Sequence, residues 1–166
     1  IRLDDDVEIS AKSIALHKIT RTLSKRKGIH IRNAINDFNM VLENTDLVVA
    51  HNLSFDKKMV MVECVRLNMN QKFTNSSGRG VCEYCSMKNN VSLCKIEKVG
   101  RNGEKYYKYP TLSELHNYLF GNSPENVHDS MADVLICLRC YCKITNNVDI
   151  LINGCSIVKN IYKLYN

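Results

Sequence analysis

Two short blocks hold the residues whose types and spacing suit hydrolytic chemistry. The first, VVAHNLSFD, is an apolar run and a turn that lead to Asp56. The second, HDSMAD, begins at His128 and ends at Asp133. Carboxylate oxygens bind hard divalent cations, and a histidine accepts a proton near neutral pH. The blocks therefore predict a hydrolytic site, although a single acid near a helix start is also a common partner of the helix dipole.

The elements around these blocks are predicted to place the acids at the edge of a sheet. Leu47–Ala50 is apolar on consecutive positions, as in a strand that helices cover on both faces. Ser54 is a suitable N-cap for a helix that runs to about Leu67, which puts Asp56 in its first turn. A second helix, which Asp129 or Ser130 can cap, has Asp133 about one turn in. Open α/β sheets bind their ligands beside the carboxyl ends of strands.

Hydrophobic spacing and turn residues predict the remaining elements. Helices are expected over Ile31–Glu43 and over about residues 130–143 and 150–164. Another helix is expected to begin at a capping box formed by Thr111 and Glu114. A hairpin is expected around residues 101–103. Loops are expected over residues 1–20, with at most one edge strand, and over residues 68–92, with a turn at 75–78. The basic stretch 21–27 is expected to be a loop or a short helix. Its charged side chains are expected to face solvent, and contact with substrate phosphates is the alternative.

Together the two blocks resemble the second and third motifs of the DEDDh (DnaQ-like) 3′–5′ exonucleases. The family patterns are A-H-N-x-x-F-D after an apolar strand and, later, H-x-A-x-x-D, where this chain has Ser130 instead of Ala. HKIT, ending at Thr20, is similar to the family's H-x-I-T segment, and CSMK and KYPTLSEL resemble exonucleases of large DNA viruses. The resemblance covers about residues 8–145. It implies an α/β, ribonuclease H-like fold with a mixed sheet flanked by helices.

The resemblance also implies a mechanism. Family members cleave phosphodiesters with two divalent metals, Mg²⁺ or Mn²⁺, bound by four carboxylates. Asp56 and Asp133 correspond to two of these metal ligands, and His128 corresponds to the general base. The residues that correspond to contacts with the terminal nucleotide are His17, Ile19, Thr20, Asn52 and Phe55.

The family's first motif, D-x-E on the opening strand, is not found at the expected distance. Only 16 residues precede His17, and Asp6-Val7-Glu8, which spells the motif, is too close and is interpreted as loop acids. The chain also begins at Ile1 and not at Met. We therefore expect an amino-terminally truncated exonuclease domain over residues 1–145, weak metal binding by this chain alone, and a carboxyl-terminal helical extension over residues 146–166.

The cysteines offer a different metal site. Cys82-x-x-Cys85 and Cys137-x-x-Cys140 have the spacing of a four-thiolate zinc site. The second pair also lies along one helix face beside apolar residues, where buried thiols act as small hydrophobic side chains. Eight cysteines without a leader segment indicate reduced thiols, so we expect an intracellular protein of the cytoplasm, the nucleus or a viral replication compartment.

The bulk numbers fit a single domain that acts on a phosphate-rich partner. The net charge is +6 and no apolar run is long enough to span a membrane. The family resemblance implies a metal-dependent exonuclease that removes nucleoside monophosphates from DNA 3′ ends, with DNA favoured because the matching segments resemble those of exonucleases of large DNA viruses. The alternatives are an RNA-trimming exonuclease of the same fold and a non-catalytic nucleic-acid-binding or zinc-stabilised module. A proofreading role like that of the DNA polymerase III epsilon subunit, with a polymerase or replication partner, is left open.

Overall fold

A computed structural model describes residues 1–74, 80–125, 127 and 129–165. This part of the chain is rich in helices and has short strands. The elements in chain order are α1 (Ala11–His17), α2 (Arg21–Lys27), α3 (Ile31–Glu43), β1 (Leu47–Ala50), α4 (Leu53–Arg66), β2 (Cys82–Cys85), α5 (Val91–Cys94), β3 (Glu97–Val99), β4 (Lys105–Tyr107), α6 (Leu112–Phe120), α7 (Ser130–Asn146), α8 (Ile150–Asn153) and α9 (Ser156–Tyr165).

The chain divides into two compact units. The first consists of Ile1–Val48 and Phe55–Cys82, and the second of Val49–Ser54 and Glu83–Asn166. Strands β1 and β2 form one two-stranded sheet, and β3 and β4 form another, which is antiparallel. The hairpin predicted around residues 101–103 is therefore confirmed. A single mixed sheet flanked by helices stays a prediction, because the described residues form only these two small sheets.

The predicted amphipathic helix α3, in the first unit, and the strand β1 have the expected bounds. Helix α3 buries Ile35 and Leu42 on one face, at the spacing of two helical turns. The amide nitrogen of Asn39, on the same face, donates a hydrogen bond to the backbone oxygen of Asn70 at 3.1 Å. These contacts fix α3 against the segment that follows α4.

The core of the second unit lies between α6 and α7. Leu115, Ala132, Ile136 and Cys140 form a fully buried cluster. Helix α6 begins with the predicted capping box, in which the Thr111 hydroxyl and the Glu114 carboxylate each bond the other's backbone amide. The Asp129 carboxylate caps α7 by accepting from the amides of residues 131 and 132. Local capping thus sets both helix starts, as the sequence predicted.

An ion pair between Arg139 of α7 and Asp149 joins the last helices to this core. The guanidinium donates from Nε and Nη2 to the two carboxylate oxygens, at 2.9 and 2.7 Å. Both side chains are about nine-tenths buried, with exposed fractions of 12% and 11%. Nη1 donates to Nε2 of His116 at 3.1 Å, and the guanidinium lies 3.8 Å above the ring of Phe120. Asp149 also caps α8 by accepting from the amide of Leu151.

Four predictions of local structure were wrong. Residues 1–20 contain helix α1 instead of a loop with an edge strand, and residues 68–92 contain β2 and α5. Helix α4 begins at Leu53, so that Ser54 lies inside the first turn and is not its N-cap. The helix predicted over residues 150–164 is broken into α8 and α9 at Gly154, where a Cβ would collide with the Ile150 carbonyl. The turn predicted at residues 75–78 lies outside the described residues.

Among the described residues, no helix is both long and apolar enough to cross a membrane.

Replacing Arg139 by Met should destabilise the chain by about 3–5 kcal/mol, because the Asp149 carboxylate would stay buried without its partner. Urea unfolding checks this. Arg66→Met is the matched control: its ion pair with Glu63 is exposed and should cost at most about 1 kcal/mol. The double variant Arg139→Met/Asp149→Asn should recover part of the loss, since Asn removes the unpaired charge and still caps a helix. Equal shifts in the single variants would contradict the buried ion pair.

Candidate functional site

The first motif block places His51 where β1 ends, in the second unit, and holds its ring from two sides. Nε2 lies 3.1 Å from the backbone oxygen of Pro110, which can only accept, so this nitrogen carries the proton. Nδ1 lies 3.0 Å from the Ser86 hydroxyl and therefore accepts from it. Burial lowers the pKa of His51, against smaller opposing effects of the Pro110 carbonyl and the Asp133 charge. The ring is a neutral link between the strand end, β2 and the start of α6.

Asp133 lies in the first turn of α7 and is half-buried. Its negative charge raises the pKa of His51, against the larger effect of burial. Asn52 follows His51 with a φ of +68°, a left-handed conformation that asparagine tolerates better than most residues. The second unit therefore contains both Asp133 and the turn that holds two residues of the first block.

Asp56 and Phe55 belong to the first unit and lie in the first turn of α4. The Phe55 ring is 57% exposed, an unusual state for a phenylalanine side chain. Partial burial of the Asp56 carboxyl raises its pKa, although the residue as a whole is exposed. A carboxyl that loses solvent without gaining a positive neighbour favours any cation that approaches it.

The segment predicted to contact the terminal nucleotide connects α1 to α2. Nδ1 of His17 accepts from the amide of Ile19 at 3.0 Å, and the Thr20 hydroxyl caps α2 by accepting from the amide of Leu23 at 3.1 Å. The Ile19 side chain is 44% exposed. His17 and Thr20 thus fix the backbone of this connection, while Ile19 is left accessible to a ligand.

His128, predicted to be the general base, lies outside the described residues. The described part of the second motif block begins at the N-cap Asp129.

A divalent metal fits the chemistry of this site only in part. Asp56 and Asp133 supply carboxylate oxygens of the kind that Mg²⁺ and Mn²⁺ prefer. Within the described residues, no group of three or more His, Cys, Asp or Glu side chains could hold a metal ion. Asp6 and Glu8, which spell the D-x-E motif, are exposed in an irregular segment, as expected for loop acids.

The cysteines fit the packing interpretation better than the zinc site. Cys140 is fully buried in the apolar cluster between α6 and α7, and Cys137 is 7% exposed. Burial raises the pKa of the Cys140 thiol to about 12, so the thiolate that zinc requires is disfavoured. Cys82, in contrast, is exposed. In the part of the chain that the structure describes, the four cysteines are not assembled into a cluster.

Sequence reasoning missed the residues that hold the site in place. Ser86 is fully buried, bonds His51 and lies 3.6 Å from the sulfur of Cys137. Its only sequence signal is its position in the CSMK segment. Arg139 and His116 carried no signal, because neither belongs to a motif and their partners are distant along the chain.

Comparison with known proteins gives one match. A family model described as Exonuclease matches residues 1–141. No curated protein matches the chain, and no solved structure matches it either.

The chain should lose stability as the pH falls below about 6.5. Burial lowers the pKa of His51 and of His116 below the ordinary value of 6.5. Below that value the unfolded chain takes up protons that the folded chain does not, so the free energy of unfolding falls until the lower folded pKa is reached. Above pH 6.5 the contribution of these histidines to the free energy of unfolding is constant. Urea midpoints measured between about pH 7.5 and about pH 5.5 test this.

Two variants separate these histidines from other titrating groups. His51→Gln should reduce the pH dependence, because glutamine keeps a donor for the Pro110 carbonyl but has no proton to gain. His30→Asn replaces an exposed histidine that caps α3 with another capping residue and serves as the control. An unchanged dependence in His51→Gln and a reduced one in His30→Asn would contradict the assignment.

Proposed function

The chain belongs to the exonuclease family that matches residues 1–141, and on this premise we propose that it is a metal-dependent 3′–5′ exonuclease. Membership implies a hydrolytic nuclease with a nucleic acid substrate and an α/β fold of the ribonuclease H-like kind. The direction of cleavage, the metal and the preference for DNA are the parts that we propose. The single observation that carries the proposal is the family match over most of the chain, including both motif blocks.

In the proposed mechanism, Asp133 would hold a divalent metal directly and Asp56 would complete the metal site. Mg²⁺ or Mn²⁺ held there would supply an activated water and offset charge on the leaving oxygen. His128 accepts the proton of that water. We assign His51 a positioning role, because its two ring nitrogens bond the Pro110 carbonyl and the Ser86 hydroxyl. Its role is to hold the turn that leads to Asn52.

Substrate binding in this proposal uses exposed side chains near the terminal nucleotide. Phe55 and Ile19 are exposed and apolar, so each can pack against a base or a sugar. Asn52 offers an amide in a fixed left-handed turn. His17 and Thr20 act chiefly by fixing the backbone that carries Ile19. DNA 3′ ends are the proposed substrate, and RNA 3′ ends are the alternative.

We also propose that residues 1–145 form the exonuclease domain and residues 146–166 an extension of it. The Arg139–Asp149 ion pair and the packing of Tyr162 against Leu135 and Ile150 attach this extension to the domain. A polymerase partner and a proofreading role stay open in this proposal.

Release of mononucleotides from a 3′-labelled single-stranded oligonucleotide tests the activity. With Mn²⁺ or Mg²⁺ present, His128→Ala should lower the rate by about 100-fold or more, the usual contribution of a general base. Asp133→Asn and Asp56→Asn should also abolish release. Asp37→Asn is the matched control, since it removes an exposed acid of α3 that has no role in the site. DNA and RNA substrates of one sequence, used in competition, measure the preference.

Binding of Mn²⁺ provides a second readout that does not require turnover. Asp133→Asn should weaken binding, whereas Asp37→Asn should not. Turnover that survives the His128 and Asp133 substitutions would refute these roles. A parent chain with neither turnover nor Asp133-dependent metal binding would favour the non-catalytic nucleic-acid-binding module.

A further inference from the structure

The positive charge of the chain is concentrated in one stretch. Residues 9–36 hold seven of the 23 Lys and Arg residues and none of the 17 Asp and Glu residues. Outside this stretch, 16 basic residues face 17 acidic ones, so the remaining 138 residues carry a charge of about −1. The net charge of +6 therefore arises entirely from residues 9–36, in the first unit.

The centre of this stretch is helix α2, Arg21–Lys27. Four of its seven residues are basic, and only Ser24 is buried. The helix is about 10 Å long at 1.5 Å per residue. A nucleic acid strand carries one negative charge per nucleotide, so a helix of this length can face more than one phosphate. Exposed Lys12, Lys18 and Arg32 extend the positive charge to both sides along the chain.

Segment 1–7 already places a carboxylate against α2. Asp5 lies 2.5 Å from the amine of Lys25 and 3.6 Å from Nη1 of Arg21. Arg21 also donates to the backbone oxygens of Asp4 and Val7. The neighbouring positive charges, above all Lys25, lower the pKa of Asp5, so this acid stays ionised.

The backbone of the same segment is attached to α2 and to the residue that follows its C-cap. The Ser24 hydroxyl accepts from the amide of Leu3 and donates to the backbone oxygen of Ile1, both at 3.0 Å. The amide of Arg2 donates to the oxygen of Ile29 at 2.8 Å. Asp5 is thus held as an internal anion on one face of α2.

Arg26 and Lys27 are in a different situation. Both are exposed, and in the described residues no carboxylate pairs with either. An exposed cation without a partner keeps its full attraction for a polyanion, whereas Arg21 and Lys25 must first exchange Asp5 for a phosphate. Arg26 and Lys27 can therefore bind a phosphate directly, whereas Arg21 and Lys25 must first release Asp5.

We propose that α2 binds the phosphate backbone of the nucleic acid strand, and that Asp5 competes with the phosphates for Arg21 and Lys25. The direction of the strand rests on the proposed function: if the 3′-terminal nucleotide lies beside Ile19 and Thr20, the upstream phosphates run along α2, which begins at the next residue. The binding surface itself does not require catalysis. The ligand chemistry is a string of phosphodiesters, of DNA or of RNA.

Binding is measured with a labelled single-stranded oligonucleotide in EDTA, so that no hydrolysis occurs. Arg26→Gln/Lys27→Gln should weaken binding by about tenfold or more at low salt, and should lower the slope of log K against log salt by about 1.4, or 0.7 per lost contact. Lys98→Gln/Arg101→Gln is the matched control, with the same loss of charge from exposed positions on the β3–β4 hairpin. It should change both quantities much less.

Asp5→Asn tests the competition. It should strengthen binding and make the salt slope steeper, because Arg21 and Lys25 become available to phosphates. Parallel titrations with DNA and RNA of one sequence identify the preferred backbone. Thermal unfolding of each variant verifies that these exposed substitutions leave the fold intact.

Equal losses of oligonucleotide affinity in the α2 double variant and the hairpin double variant would overturn the inference, because net charge alone would then explain binding. An unchanged affinity of Asp5→Asn would overturn the competition. The outcome is separable from that of the proposed function. Binding that depends on α2 in a chain without metal-dependent turnover would refute only the exonuclease activity, whereas turnover without such dependence would refute only this surface.

Discussion

The second unit depends on the buried ion pair between Arg139 and Asp149. Burial of two charges is costly, and here the cost is offset by two charge-assisted hydrogen bonds, the lone pair of His116 and the face of Phe120. His116 donates from Nδ1 to the backbone oxygen of Asn122 at 2.9 Å, which leaves Nε2 free to accept from the guanidinium. Because each group is satisfied only when α6, α7 and the start of α8 are all in place, the pair makes the folding of these elements cooperative.

Hydrogen bonds to distant partners also fix His51, the histidine of the first motif block, in a structural role. His51 is held by an oxygen on one side and a hydroxyl on the other, and it is neutral because burial opposes its charge. A conformationally fixed turn results, with Asn52 in the left-handed region beside it. Asp133 lies in the first turn of α7, where the cap formed by Asp129 sets the start of the helix.

Charge is distributed unevenly between the chemical residues and the surface that we infer for the strand. The motif blocks are acidic, as a site for divalent metals requires, and acids repel the phosphates of a substrate. In our proposal, the basic stretch of the first unit supplies an attraction for phosphates that these acids do not. The internal acid Asp5 limits that attraction.

The sequence by itself determined the elements that local interactions define: the amphipathic helix α3, the apolar strand β1, the hairpin, and the capped starts of α6 and α7. These follow from hydrogen bonds and hydrophobic spacing within a few residues. The motif blocks also indicated the exonuclease family. Local rules failed for α1, for the start of α4 and for the break between α8 and α9.

Only the tertiary structure decided which side chains are partners. His51 meets a carbonyl 59 residues away and Arg139 meets a histidine 23 residues away, and both cysteines of the second CxxC are buried. No spacing rule reaches across such separations. The energy of a buried polar group depends on whether the fold brings a partner to it, and that is a property of packing, not of neighbouring residues along the chain.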